Sequence, residues 1–120
     1  MILRMFRVLL LSLFLAGFVF AGDISGNWEF TVETSAGSGT PSFVFQQTGE
    51  KLTGTYTGML GTAKLNGTVK GDQVEFSFAV SQDGQSGTVT YKGSIVSATK
   101  MKGTVKLAEL GEGTWEGTKK

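Results

Sequence analysis

Residues 65–78 read LNGTVKGDQVEFSF, and this stretch decides the fold. Apolar and polar residues alternate on both sides of Gly71-Asp72, which is the period of a strand with one buried face. A glycine followed by a polar residue suits a two-residue hairpin turn. Such a turn places Gly67 opposite Phe76 and keeps the apolar side chains on one face, so the stretch predicts an antiparallel hairpin.

The strand pattern apolar-x-Gly-Thr/Ser-apolar occurs at residues 52–56, 65–69, 91–95 and 101–105. A glycine on the buried face weakens a strand unless curvature or a crowded neighbour needs the space. A small closed barrel needs both, so the repeat predicts an all-β, antiparallel, up-and-down (meander) barrel. Turn residues bound eight alternating segments, at residues 26–34, 41–48, 51–58, 62–70, 73–82, 86–96, 100–107 and 113–119.

Two further turns extend the same buried face. Gly49-Glu50 places Phe45 opposite Gly54, and Asp83-Gly84 continues the face into the sixth strand. The predicted inward set contains no charged residue, whereas the outward face is rich in Thr, Ser, Lys, Glu and Gln. This pattern favours a water-soluble barrel over an outer-membrane barrel, whose outside is apolar. The inward set is Trp28, Phe30, Val32, Phe43, Phe45, Leu52, Tyr56, Leu65, Val69, Val74, Phe76, Phe78, Val80, Val89, Tyr91, Ile95, Met101, Val105 and Trp115.

The N-terminal residues resemble a secretory signal peptide. Arg4 and Arg7 precede the apolar run 8–20, which is short for a membrane span, and small residues allow cleavage after Ala21. We therefore expect a signal peptide over residues 1–21 and a single domain over residues 22–120, in the periplasm or secreted. An uncleaved N-terminal anchor is the alternative. The domain has nine basic and ten acidic residues and no basic patch for nucleic acid, and it would touch a membrane only before cleavage.

The composition excludes most catalytic chemistry. The chain has no His and no Cys, so it lacks the usual general base, thiol nucleophile and zinc ligands. The carboxylates fall on outward positions or in turns, where we expect them to be solvated. The Gly-Ser stretch 35–40 lacks the Gly-Lys-Ser/Thr ending of a phosphate loop and predicts a flexible hairpin loop that could act as a lid. We expect neither an enzyme nor a bound cofactor or metal.

Two motifs carry a family resemblance. Ile24-Ser25-Gly26-Asn27-Trp28 opens the first predicted strand, and Leu52-Thr53-Gly54-Thr55-Tyr56 forms the third. Together they resemble the N-terminal third of an avidin-type barrel, and the Gly-x-Trp opening is also found in lipocalins. Both groups are calycins, so the resemblance implies an eight-stranded barrel that binds a small, often apolar molecule at its mouth. A biotin site resembles a box of several tryptophans, whereas this chain has only two, so we do not expect biotin binding.

The inward aromatic residues have two interpretations, a packed core or the lining of a cavity, because eight strands leave room for side chains or for one small ligand. Under the second, the barrel is an exported, non-catalytic module for a neutral apolar ligand. Tyr56 and Tyr91 are then the expected polar contacts, and both tryptophans lie near barrel ends. The alternative is a periplasmic protein-binding barrel, such as a hydrolase inhibitor, with a solid core and loop contacts. The predicted ligand-binding residues are Trp28, Phe43, Tyr56, Phe78, Tyr91 and Trp115.

Overall fold

A computed structural model describes residues 23–35, 37–82, 85–107 and 111–120. The predicted signal peptide and the Asp83-Gly84 turn lie outside the described residues. Within them, no helix is long and apolar enough to span a membrane. The described strands are β1 (Gly26–Thr34), β2 (Gly37–Gly39), β3 (Ser42–Thr48), β4 (Lys51–Gly58), β5 (Gly61–Lys70), β6 (Gln73–Gln82), β7 (Gln85–Ser97), β8 (Lys100–Leu107) and β9 (Glu112–Lys119).

The strands form one closed antiparallel meander. From β3 onward each strand pairs with its neighbour in the chain, and β9 returns to pair with β1 from Gly113 opposite Thr34 to Lys119 opposite Trp28. Strands β2 and β3 act as one barrel strand, because both pair with β1 in a single continuous register. The fold is therefore the predicted eight-stranded up-and-down barrel, in which closure pairs β1 with β9 along their length.

Proline interrupts the second barrel strand. Pro41 has no N–H to donate to a ladder, and the strand assignment stops at Thr40 and Pro41. The Pro41 carbonyl still accepts a hydrogen bond from the Phe30 N–H at 3.0 Å, which keeps the register across the gap. The sequence-based expectation of a flexible hairpin loop over 35–40 was wrong for Gly37–Gly39, because these residues pair with the end of β1.

The predicted cross-strand registers are confirmed. Gly67 lies opposite Phe76, and Phe45 lies opposite Gly54. On the outer face, Glu75 lies opposite Lys92, as the alternation predicts. These agreements follow from the buried face, because a slip of one residue would expose every apolar side chain of a strand.

The predicted inward set forms the core. All of its members are buried except Val80, which is partly buried and packs against the others. Ile24, which precedes β1, joins the core with 2 % of its surface exposed and was not predicted to do so. The Gly67 backbone lies so close to its neighbour that a Cβ added there would overlap the Glu75 carbonyl oxygen and lie 2.5 Å from the Phe76 Cβ. The inward glycines thus allow the strands to approach closely where rings cross them.

Candidate functional site

The two ends of the barrel differ. We call the end where β1 begins the lower end and the end where β1, β4, β6 and β8 finish the upper end. Ile24 covers the lower end: the Trp28 indole N–H donates to its carbonyl at 2.8 Å, and its own N–H donates to the Gln47 side-chain oxygen at 2.9 Å. The Gln47 N–H in turn donates to the Ser25 hydroxyl at 2.9 Å. The segment before β1 is thereby fixed as a plug.

Partly exposed apolar side chains gather at the upper end. Leu60, Ala63, Val80 and Leu107 pack against the core without being fully buried, and each lies near the upper end of its strand or in the turn there. Met59, beside Leu60 in the same turn, is 81 % exposed. We call these five residues the upper rim. These five side chains form a partly exposed apolar patch at the upper end, whereas Ile24 is buried over the core at the lower end.

A stacked aromatic pair forms the floor beneath this rim. Tyr56 lies opposite Ala63, and its ring stacks on that of Phe78 with the centroids 4.3 Å apart and the planes 17° apart. Both side chains are 4 % exposed. The Tyr56 hydroxyl accepts a hydrogen bond from the Leu60 N–H at 3.2 Å, so it ties the rim turn to the floor.

Below the floor, aromatic rings fill the middle of the barrel. Phe43 is central to this layer, with ring centroids at 4.4 Å from Phe30, 5.4 Å from Phe76 and 5.4 Å from Tyr91. Trp115 stacks on Phe30 at 4.5 Å with parallel planes. Rings at these separations occupy the space between the strands. The sequence left a packed and a hollow interior open, and the structure shows a packed middle layer.

The predicted ligand-binding residues therefore separate into three groups. Tyr56 and Phe78 form the floor of the upper end. Phe43, Tyr91 and Trp115 belong to the filled middle layer, where Trp115 lies opposite Val32 and is 1 % exposed. The expectation that Trp115 lies at a barrel end was wrong. Trp28 is fully buried beside Ile24 at the lower end, and among the other five it lies next to Phe43, its cross-strand partner.

Tyr91 carries a buried polar group in the middle layer. Its side chain is 2 % exposed, and its ring stacks on Phe76 at 4.9 Å. Burial raises the pKa of its hydroxyl above the usual 10.0, and the nearby Tyr56 hydroxyl adds to the rise. The group therefore stays a neutral O–H donor at physiological pH.

The rim residues other than Val80 were not singled out in the sequence. Strand parity could have found two of them, because Ala63 and Leu107 continue the inward alternation of Leu65 and Val105. Leu60 and Met59 lie in a turn, where alternation carries no information. Two grooves of about 210 and 510 Å³ lie elsewhere, on the outer wall. Exposed polar side chains such as Lys92 line both, so neither resembles an apolar ligand site.

Among the described residues, no group of three or more His, Cys, Asp or Glu side chains could hold a metal ion. No protein-family description and no curated protein matches the sequence. Solved structures with the same fold include two designed barrels. A redesigned β-barrel, mFAP1, bound to DFHBI, has a TM-score of 0.62 and 17 % identity, covering 81 % of this chain and 94 % of its own. A de novo designed fluorescence-activating β-barrel has a TM-score of 0.56 and 18 % identity, covering 80 % of this chain and 93 % of its own.

Proposed function

We propose that this protein is an exported, non-catalytic binding module of calycin type that holds a small neutral apolar ligand at the upper rim. The observation that carries the proposal is the contrast between the ends: Ile24 plugs one, and the partly exposed apolar rim borders the other. The stacked rings of Tyr56 and Phe78 lie beneath this rim and are 4 % exposed, so a ligand would contact the rim side chains first. Ligand sites are typically lined by apolar side chains with a few polar groups.

Two further observations support the proposal. The fold is shared with a redesigned barrel that binds DFHBI and with a de novo designed fluorescence-activating barrel. The absence of His and Cys from the whole sequence favours binding over catalysis. An apolar rim without charge selects a neutral ligand, because a buried and unpaired anion is costly.

Dye titration tests the proposal. We expect the neutral dye N-phenylnaphthylamine to gain fluorescence saturably with the purified protein. DFHBI, whose fluorinated phenol is largely ionised at neutral pH, should bind more tightly as the pH falls and the phenol becomes neutral. Ala63→Asp places a carboxylate at the rim and should weaken binding by about tenfold or more, since a charge facing an apolar ligand costs at least about 1.4 kcal/mol. Ala79→Asp is the matched control: Ala79 is exposed on the outer face of β6, and this variant should bind like wild type.

Thermal melting of both variants checks that the barrel is intact. If Ala63→Asp fails to fold, Leu60→Ser provides a milder change at the same rim. The proposal fails if neither dye binds, or if the rim and outer-face variants bind both dyes equally well.

A second candidate is a protein-binding barrel, such as a hydrolase inhibitor of the periplasm. The filled middle layer favours it, because such a protein needs no cavity, and the 81 % exposed Met59 would supply an apolar contact. The measurement that separates the two candidates is capture from the exported fraction with wild type and with Met59→Glu. A specific partner lost in Met59→Glu, together with no dye binding, would favour this second function.

A further inference from the structure

The Tyr91 hydroxyl is a polar group buried among aromatic rings. Its ring lies between Phe76, Phe43 and Trp115, with centroids at 4.9, 5.4 and 5.8 Å. The Tyr91 hydroxyl makes no hydrogen bond to any of the described residues, whereas the Tyr56 hydroxyl and the Trp115 indole N–H each make one. Buried polar groups nearly always have a partner, so this exception requires an explanation.

The other tyrosine shows the contrast. The Tyr56 hydroxyl accepts the Leu60 N–H, and it packs against Gly58, where an added Cβ would lie 2.5 Å from the hydroxyl oxygen. The Tyr56 hydroxyl is thus at the upper end and is satisfied. The Tyr91 ring adjoins the floor, with its centroid 6.0 Å from that of Phe78, so Tyr91 belongs to the layer directly beneath the floor.

Packing alone does not account for the Tyr91 hydroxyl. Phe30, Phe43 and Phe76 fill the same layer with rings that carry no polar atom. An unpaired buried hydroxyl opposes folding, because it gives up its bond to water and gains none. A ligand that brings an acceptor would remove this cost on binding, since the O–H would then be paired in a low-dielectric interior.

We infer that the Tyr91 hydroxyl is the polar recognition group beneath the upper rim, and that the ligand is a neutral aromatic compound carrying a carbonyl acceptor. The inference rests on the proposed function and specifies its ligand class. Aromatic walls select a flat ring, and the lack of charge excludes a carboxylate. The floor of Tyr56 and Phe78 lies between the rim and Tyr91, so the acceptor reaches Tyr91 only when the Leu60 turn shifts with Tyr56.

A pair of matched dyes tests the inference. Prodan is a neutral naphthalene with a ketone, and its parent amine lacks the propionyl group. We expect Tyr91→Phe to bind prodan about fivefold more weakly, the usual effect of one lost hydrogen bond. Its affinity for the parent amine should stay within about twofold of wild type, because the ring contacts are unchanged. Prodan bound to Tyr91→Phe should also emit at shorter wavelength, because its ketone loses the hydrogen bond.

Thermal stability without ligand supplies an independent readout. Tyr91→Phe should melt at the wild-type temperature or above, because it removes an unpaired group. Tyr56→Phe should melt lower, because the Leu60 N–H loses its acceptor. A fall in melting temperature of Tyr91→Phe equal to that of Tyr56→Phe would show that the hydroxyl is already paired, by a trapped water for example, and would overturn the inference.

The binding outcomes separate the inference from the proposed function. Equal affinities of Tyr91→Phe and wild type for prodan, with both dyes bound, overturn the inference and leave the rim site standing. Binding of neither dye by wild type overturns both. Weaker binding of both dyes by the same factor assigns Tyr91 to packing and likewise overturns the inference.

Discussion

Substituting Gly67 with alanine tests how the barrel packs. The added Cβ would overlap the Glu75 carbonyl oxygen and lie 2.5 and 2.6 Å from the Cβ and Cα of Phe76. Real Cβ contacts are essentially never closer than 3.0 Å, so β5 and β6 must separate by more than about 0.5 Å. Backbone, not a flexible side chain, must move, and overpacking of this kind costs about 1–3 kcal/mol or more. We expect a loss of about 3 kcal/mol, which lowers the melting temperature of a domain this size by about 12–24 °C.

Gly39→Ala is the matched control for this measurement. Gly39 also faces inward in a strand, but its added Cβ would meet only the Met59 sulfur at 3.4 Å, which is ordinary contact. Alanine restricts the unfolded chain, so this variant should be neutral or more stable by about 0.4–1 kcal/mol. Urea unfolding of both variants gives the comparison. If Gly67→Ala is as stable as Gly39→Ala, the close approach of β5 and β6 is wrong.

The plug and Tyr91 each give a further prediction. Ile24→Ala should lower the free energy of unfolding by about 2–5 kcal/mol, because it removes a side chain that is 2 % exposed and leaves a cavity over Trp28. Urea unfolding measures this loss, and a loss below about 1 kcal/mol would contradict the role of Ile24 as a plug. In an ultraviolet titration of Tyr56→Phe, which leaves Tyr91 as its one tyrosine, Tyr91 should ionise only as the protein unfolds in alkali. Because the folded pKa of Tyr91 lies above its usual 10.0, this group leaves stability unchanged below that pH and lowers it above, where the unfolded state loses the proton first. Ionisation of Tyr91 at about pH 10 in a folded barrel would refute its burial.

The registers could be predicted from the sequence because two independent constraints agree. The two-residue turns at Gly49-Glu50 and Gly71-Asp72 leave one pairing for each hairpin, and the alternation of apolar residues leaves one face for the core. Gly49 and Gly71 have φ of 62° and 61°, the left-handed conformation that such turns require. Where the connection was longer, between β8 and β9, the same reasoning left the register of Trp115 open.

The unpredicted features depend on tertiary structure. Gly37–Gly39 has no strand propensity, and it is ordered by pairing with the end of β1. Ile24 precedes the first strand, so its burial depends on a side-chain hydrogen bond to Gln47, which is distant in sequence. The alternation of apolar and polar residues also predicts which face of the sheet a residue occupies, but not its position along the barrel axis. The six predicted ligand-binding residues were therefore assigned to one site, although Trp28 bonds Ile24 before β1 and Tyr56 bonds the Leu60 turn.

Along the barrel axis, the residues that stabilise the fold are different from those that we expect to bind the ligand. In the middle layer, Trp115 lies over Gly93 and Phe30 lies against Gly117, where added Cβ atoms would be 2.6 and 2.5 Å from the rings. The rings and glycines there complement one another, so substitutions should act first on stability. The rim residues are only partly buried and contribute less to the core, so substitutions there should act first on binding. Tyr91 differs from both groups, because its ring belongs to the core while its hydroxyl, as we infer, pairs with the ligand. A variant that strengthens the fold and weakens carbonyl binding is therefore expected at Tyr91 and not at its phenylalanine neighbours.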